Sequence, residues 1–467
     1  MRKVKDSMGE MEVPENAYYG ASTMRAVQNF PISDLRFPRR FIKALGLIKQ
    51  AAAEVNIDLG LVDEERAKAI IAAAGEVAEG KWDAEFVLDI YQTGSGTSTN
   101  TNANEVIAFR ASEILGNKLG GLVHPNDHVN RCQSSNDVIP SAIQLATCMA
   151  IDDELLPGLD RLRAALALKT SEFMPIVKTG RTHLQDATPI RLGQEFAGYT
   201  GQVEESAHRA HQAKNDLLSL PLGGTAVGTG VNAHPDFAAR VCELLEGKTG
   251  LAVRETDNHF HAQATLDALV SAHGRLKTIA VSLWKIGSDI RFMGMGPRAG
   301  IGELILPETQ PGSSIMPGKI NPVIVESLTM ACARVIGNDL TITLSGQSGS
   351  FFELNVMMPI AGYCALESVD LLGRSAANFA ERCVEGLTAT TKGPELVEKG
   401  LMLATALAPV IGYDEAAKLA KEANRSGRTI RELARERGDL SEADLDRILD
   451  PGKMTEPGLE SGAGGGG

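Results

Sequence analysis

Apolar positions recur at helical spacing through most of the chain beyond residue 135. The longest run is Leu269, Ala272, Leu276, Ile279, Leu283, Ile286, Ile290 and Met293, in alternating steps of three and four. At 1.5 Å per residue this seam predicts a helix of roughly 36 Å. Gly274, Lys285 and Asp289 interrupt it, so it is not a membrane helix. A second helix is expected from near Ile190, stopping at Pro221 and the glycines after it. A third should follow Asn136 and run toward Phe173, with Pro140 near its start and Pro157 as a kink. A fourth should begin after Pro322, with Val325, Leu328, Cys332 and Val335 on one face.

Stripes this long cannot be buried by one helix alone. They predict an all-α fold built on an elongated bundle, shared between subunits rather than closed within a monomer. The first 120 residues carry shorter helices and more turns, and β signals are sparse and short. The end holds short helices, among them "DLSEADLDRILD", where Ser441 is a predicted N-cap with Asp444 three residues on. The expected division is an N-terminal domain over 1–134, a central helical bundle over 135–390 and a small helical domain over 391–467. The last ends in a disordered, Gly-rich "SGAGGGG".

Composition narrows the palette. Aromatics are only 4% of the 467 residues, so the core must be packed from Ala, Leu, Ile and Val. The net charge of -13 argues against nucleic-acid partners and anionic membranes, and means that an anion site needs local cations. The six cysteines have neither CxxC nor zinc-site spacing and read as buried or free thiols of a reducing compartment. With no apolar signal core at the start and no run of about 18 apolar residues, a cytoplasmic location without membrane contact is expected.

Four polar segments punctuated by glycine or proline interrupt the helices: "QTGSGTSTNTNANE" (92–105), "HPNDHVNRCQSSND" (124–137), "GRTHLQDATP" (180–189) and "GSSIMPGKINP" (312–322). Each adjoins a helix whose free N–H groups can hold an anion. His183 suits proton transfer near neutral pH but could equally be an idle turn residue. Ser134, Ser135 and Asn136 could fork a carboxylate or merely cap a helix. His124, Asn126 and Asp127 fit a polar ligand site or an Asx-turn. "LPLGGTAVGTG" (220–230) lacks the ending of a P-loop and does not follow a strand, so it reads as a tight connection. His208 with His211, and His259 with His261, lack a third ligand nearby, so no metal is expected. In the fourth segment, Lys319 and Asn321 could converge on one anion. "GSSIM" is not a nucleophile elbow, and spacing does not choose between Ser313 and Ser314.

"GSSIMPGKINP" resembles the signature of the fumarase/aspartase superfamily. "GRTHLQDATPIRLGQEFAGY", "HPNDHVNRCQSSND", "LPLGGTAVGTG" and "FFELNVMMPI" resemble its class II fumarases, in order, over nearly the whole chain. "GTSTNTNANE" is nearer to aspartases. The resemblance implies a three-domain subunit with a five-helix central bundle. Four subunits would form a homotetramer with a twenty-helix core, each active site shared by three of them. It implies the reversible hydration of fumarate to (S)-malate with no cofactor. Ser313 would be the base, and His183 would act through water on the hydroxyl, oriented by Glu326. Lys319 would stabilise the aci-carboxylate. Substrate contacts would come from Ser95, Gly96, Thr97, Ser134, Ser135, Asn136, Thr182, Ser314, Lys319, Ile320 and Asn321. His124, Pro125, Asn126 and Asp127 would form a second, non-catalytic dicarboxylate site. The rival expectations are an aspartate ammonia-lyase and a catalytically silent structural relative.

Overall fold

The computed structural model of the protein describes residues 1–118 and 120–458. The Gly-rich ending expected to be disordered lies outside the described residues. Helix dominates, as the spacing predicts. Strands β1 (Arg2–Asp6) and β2 (Gly9–Val13) form an opening hairpin, followed by α1 (Ala21–Asn29), α2 (Arg39–Asp58), α3 (Glu64–Glu79), α4 (Thr97–Ile114), α5 (Ser135–Ala150) and α6 (Leu156–Phe173). A second hairpin, β3 (Val177–Thr182) and β4 (Gln185–Arg191), leads into α7 (Leu192–Asp216). Then come α8 (Phe237–Thr249), α9 (His259–Ala264), α10 (Asp267–Met293), α11 (Val323–Gly349) and α12 (Met358–Phe379). Five shorter helices close the described chain: α13 (Lys392–Val397), α14 (Ala404–Ile411), α15 (Tyr413–Ser426), α16 (Ile430–Arg437) and α17 (Glu442–Ile448).

The predicted seam lies on α10, and all eight of its residues are buried. The α11 stripe of Val325, Leu328, Cys332 and Val335 is buried as well. The helix expected from after Asn136 toward Phe173 is present as α5 and α6, with helical backbone continuing between them. A single wider helical turn over Ile151–Leu155 joins them just before Pro157, which cannot donate to the preceding turn. The second predicted helix starts later than Ile190, since Lys178 pairs with Ile190 and Val177 with Arg191 across the β3–β4 ladder.

Two compact units can be distinguished by contacts, each assembled from three separated stretches of chain. The first comprises Met1–Gly158, Ala207–Val281 and Ala331–Arg374; the second comprises Leu159–Ser206, Ser282–Met330 and Ser375 onward. In the first, α2 packs on α3, α5 and α8. Small residues allow this closeness: a Cβ on Gly46 would sit 2.7 Å from the Ala78 nitrogen. Nearly every residue of α5 is buried. In the second unit, buried ion pairs anchor the β3–β4 hairpin. Lys178 lies 2.9 Å from both Glu195 and Glu303, and Arg181 lies 2.9 Å from Glu303. Its C-terminal helices bury Leu407, Leu419, Ile430, Leu445 and Leu449 together, with Ser441 capping α17 as predicted.

Candidate active site

In the first unit, two helix starts are brought together. Gly96 precedes α4 at a φ of 70°, and the Ile139 side chain fills the place where a Cβ would go. That turn delivers Ser95 and Thr97 to Ser135. The Ser95 and Thr97 hydroxyls are 2.7 Å apart, and those of Thr97 and Ser135 are also 2.7 Å apart. Ser134 caps α5, and its oxygen accepts the Asn136 N–H at 3.3 Å. The Asn136 amide donates to the Ala226 carbonyl at 2.8 Å, so the 220–230 connection supports this wall. Capping and donor clustering therefore coexist here, and the hydroxyl chain spans segments 38 residues apart.

His124 lies outside that cluster's bonds. Its Nδ1 accepts the N–H groups of Asn126 and Asp127 at 3.3 and 3.1 Å, capping the turn over Pro125–Val129. The turn is wider than an Asx-turn and is closed by an imidazole.

In the second unit, Thr182 and Gln185 pair at the end of the β3–β4 hairpin, with His183 and Leu184 at its tip. Both tip residues are left-handed, at φ values of 56° and 58°. Consecutive positive φ values fit a two-residue hairpin turn, yet neither residue is glycine or asparagine. The tip is exposed, presenting the imidazole to solvent.

The segment from Gly312 to Asn321 folds back on itself. The Gly312 N–H donates to the Lys319 carbonyl at 2.8 Å, and the Asn321 amide donates to the Gly312 carbonyl at 2.6 Å. Any Cβ on Gly312 would strike the Lys319 carbonyl. Inside this loop the Ser313 hydroxyl oxygen accepts the N–H groups of Ile315 and Met316, at 3.2 and 2.9 Å. Ser313, Lys319 and Ile320 line an open cavity of about 410 Å³; Ser314 does not. Among the described residues, the Lys319 ammonium has no hydrogen-bond or ion-pair partner. Glu326 is exposed on the first turn of α11, and no hydrogen bond joins it to His183 among the described residues.

Two buried groups behind the first cluster were not singled out from sequence. Asp137, fully buried, accepts the N–H of Ser134 at 2.9 Å and those of Gly223 and Thr225 at 3.0 Å each. Lys49, fully buried on α2, donates to the side chains of Asn130 and Gln133 at 2.9 Å each. Burial pushes the Lys49 ammonium down to about 7, opposed by Asp137. Burial likewise pushes the Asp137 carboxyl up to about 6, opposed by its backbone donors and by Lys49. The available signals were a lysine between Leu45 and Ala52 on an apolar helix face, and the Ser-x-x-Asp spacing of 134–137.

The described residues hold no group of three His, Cys, Asp or Glu side chains arranged for a metal. All six cysteines are free and buried. No described helix is long and apolar enough to cross a membrane.

Residues 9–337 match the lyase family, and residues 403–456 match the fumarase C C-terminus. A class II fumarate hydratase of Halobacterium salinarum is 52% identical over 463 residues, covering 99% of this chain and 98% of that protein. The human mitochondrial fumarate hydratase is 50% identical over 457 residues, covering 97% of this chain and 89% of its own. The crystal structure of a class II fumarase from Schistosoma mansoni superposes with a TM-score of 0.95 at 39% identity, covering 97% of this chain and 99% of that one.

Proposed function

The chain belongs to the lyase family, among its class II fumarate hydratases, and from that premise we propose how its residues hydrate fumarate reversibly to malate. In the dehydration direction, Ser313, as alkoxide, takes the proton from C3 of malate. The electron pair spreads into the adjoining carboxylate as an aci-carboxylate. The C2–O bond then breaks, and the hydroxyl leaves as water with a proton delivered through water by His183.

One observation carries the choice of base. The Ser313 oxygen already accepts two backbone N–H groups, the environment that makes an alkoxide affordable. Lys319 supplies a cation at the same cavity, where the second carboxylate charge develops. Ser95, Thr97 and Ser135, with Ser134, Asn136 and Thr182, bind carboxylate and hydroxyl. Gly96 lets the backbone approach, and Ser314, Ile320 and Asn321 add further substrate contacts. Glu326 orients His183. His124, Pro125, Asn126 and Asp127 form a second dicarboxylate site.

We assign a homotetramer whose active sites draw on three subunits. Val281, Trp284 and Phe292 on α10, and Met330, Leu340 and Leu344 on α11, are apolar and exposed in the single chain, which favours partner helices. A cytoplasmic location fits the buried free thiols. The helical cluster from Leu401 to Met454 supports a small C-terminal domain beginning near residue 391.

The direct test offers purified protein malate or aspartate and follows fumarate by ultraviolet absorbance. Malate turnover is expected. Turnover of aspartate alone would replace the reading with an ammonia-lyase, and turnover of neither would favour a silent relative.

A further inference from the structure

Lys49 and Asp137 are fully buried, so neither can touch substrate. Yet both bond directly to the segments that carry the carboxylate donors. Lys49 reaches from α2 to the turn before α5. Its acceptor Asn130 also receives the Asn100 amide of α4 at 3.2 Å, and the Asn130 amide donates to the Gln133 carbonyl at 3.0 Å. One ammonium thus ties α2 to the turn entering Ser134 and, through Asn130, to the helix that begins at Thr97. Asp137 lies on the other side of the same donors. One oxygen fixes the Ser134 N–H, while the other gathers the Gly223 and Thr225 N–H groups. The connection it gathers returns the favour at Ala226, whose carbonyl holds the Asn136 amide.

The Ser134 N–H bond to Asp137 is the reciprocal half of a capping box, but the two that Asp137 accepts from Gly223 and Thr225, and the two that Lys49 donates, go beyond helix capping. Buried ionisable groups are costly even when hydrogen-bonded, and among the described residues no ion pair joins Lys49 to Asp137 to offset that cost. Stability alone is therefore a weak reason for a lysine and an aspartate here.

We propose that Lys49 and Asp137 are positioning residues, which together hold Ser134, Ser135 and Asn136 against Thr97 in the geometry that binds the substrate carboxylate. This rests on the assignment of those donors to a dicarboxylate substrate. Removing either group leaves Ser313, Lys319 and His183 chemically intact. Its effect falls on binding rather than on proton transfer.

The experiment measures kcat and KM for malate with full-length Lys49→Met and Asp137→Asn, with melting temperature and sedimentation alongside. KM is expected to rise about tenfold or more while kcat stays within about threefold, because unmaking a buried polar bond is worth that much in binding. Asn130→Ser, which keeps the lysine and removes one acceptor, should shift KM in the same direction and serves if Lys49→Met does not fold. A merely structural role would lower the melting temperature and the active fraction with KM unchanged. Folded variants with unchanged KM, or with kcat lost and KM kept, overturn the proposal. Wild-type protein inactive on malate would overturn the fumarate reading itself, and this proposal with it.

Discussion

The Ser313 hydroxyl oxygen accepts the backbone N–H of Met316 at 2.9 Å, across a loop that its own chain closes. Donors aimed at an oxygen favour its charged form. Among the described residues, no hydrogen bond reaches the Ser314 hydroxyl. Ser313→Ala should therefore lower kcat by about 10²- to 10⁴-fold, the usual worth of a general base, with melting temperature unchanged. Ser314→Ala should act mainly on KM. Steady-state kinetics on malate separates the two, and a dead Ser314→Ala beside an active Ser313→Ala would reverse the assignment.

Gly312 permits the loop to close. A side chain there would meet the Lys319 carbonyl and come within 2.9 Å of the Asn321 nitrogen. Gly312→Ala should open the loop and lower kcat/KM by about tenfold or more through misplacement of Ser313 and Lys319. Circular dichroism should stay native. Wild-type kinetics in this variant would show that the closure is dispensable.

The proposed sharing of active sites between subunits makes a prediction about mixtures. The Ser313→Ala and His183→Asn proteins should each be nearly inactive alone. Co-expression should restore a fraction of the wild-type rate, because some sites then receive both intact residues. Mixed tetramers with no recovered activity would place Ser313 and His183 of one site on a single chain.

Lys49 sets a dependence of stability on pH. Its folded value of about 7 lies below the ordinary 10.5, so the unfolded chain binds the extra proton between those two values. Stability from this group rises with pH across that window and is lowest below it. Lys49→Met lacks the term. Asp137, with a folded value of about 6 against an ordinary 3.8, contributes in the opposite sense and below this window. The melting temperature of Lys49→Met minus that of wild type should fall as the buffer moves from about pH 7 toward 10.5. A flat difference would mean that Lys49 keeps an ordinary affinity for its proton.

Long-range periodicity made the helices legible. The α10 seam and the α11 stripe are buried residue for residue because a helix that long has only one face to hide. The β3–β4 hairpin was not legible as strands. Its ladder is held by Lys178 and Arg181 reaching Glu303, and an ion pair across 122 residues leaves no local pattern. The opening hairpin was legible in principle, since "RKVKD" and "GEMEV" alternate. Polar segments announced the site, but the Thr97–Ser135 contact depends on how two helix starts meet. Lys49 was hidden by the rule that lysines face water.

Each compact unit is drawn from three separated stretches, and the last stretch of the first one runs from Ala331 to Arg374. During synthesis that unit cannot close until Arg374 has cleared the ribosome. By then the first two stretches of the second unit have already emerged. The chain is committed to folding late and nearly whole, and a fragment ending before Ala331 lacks a third of the segments its own core requires.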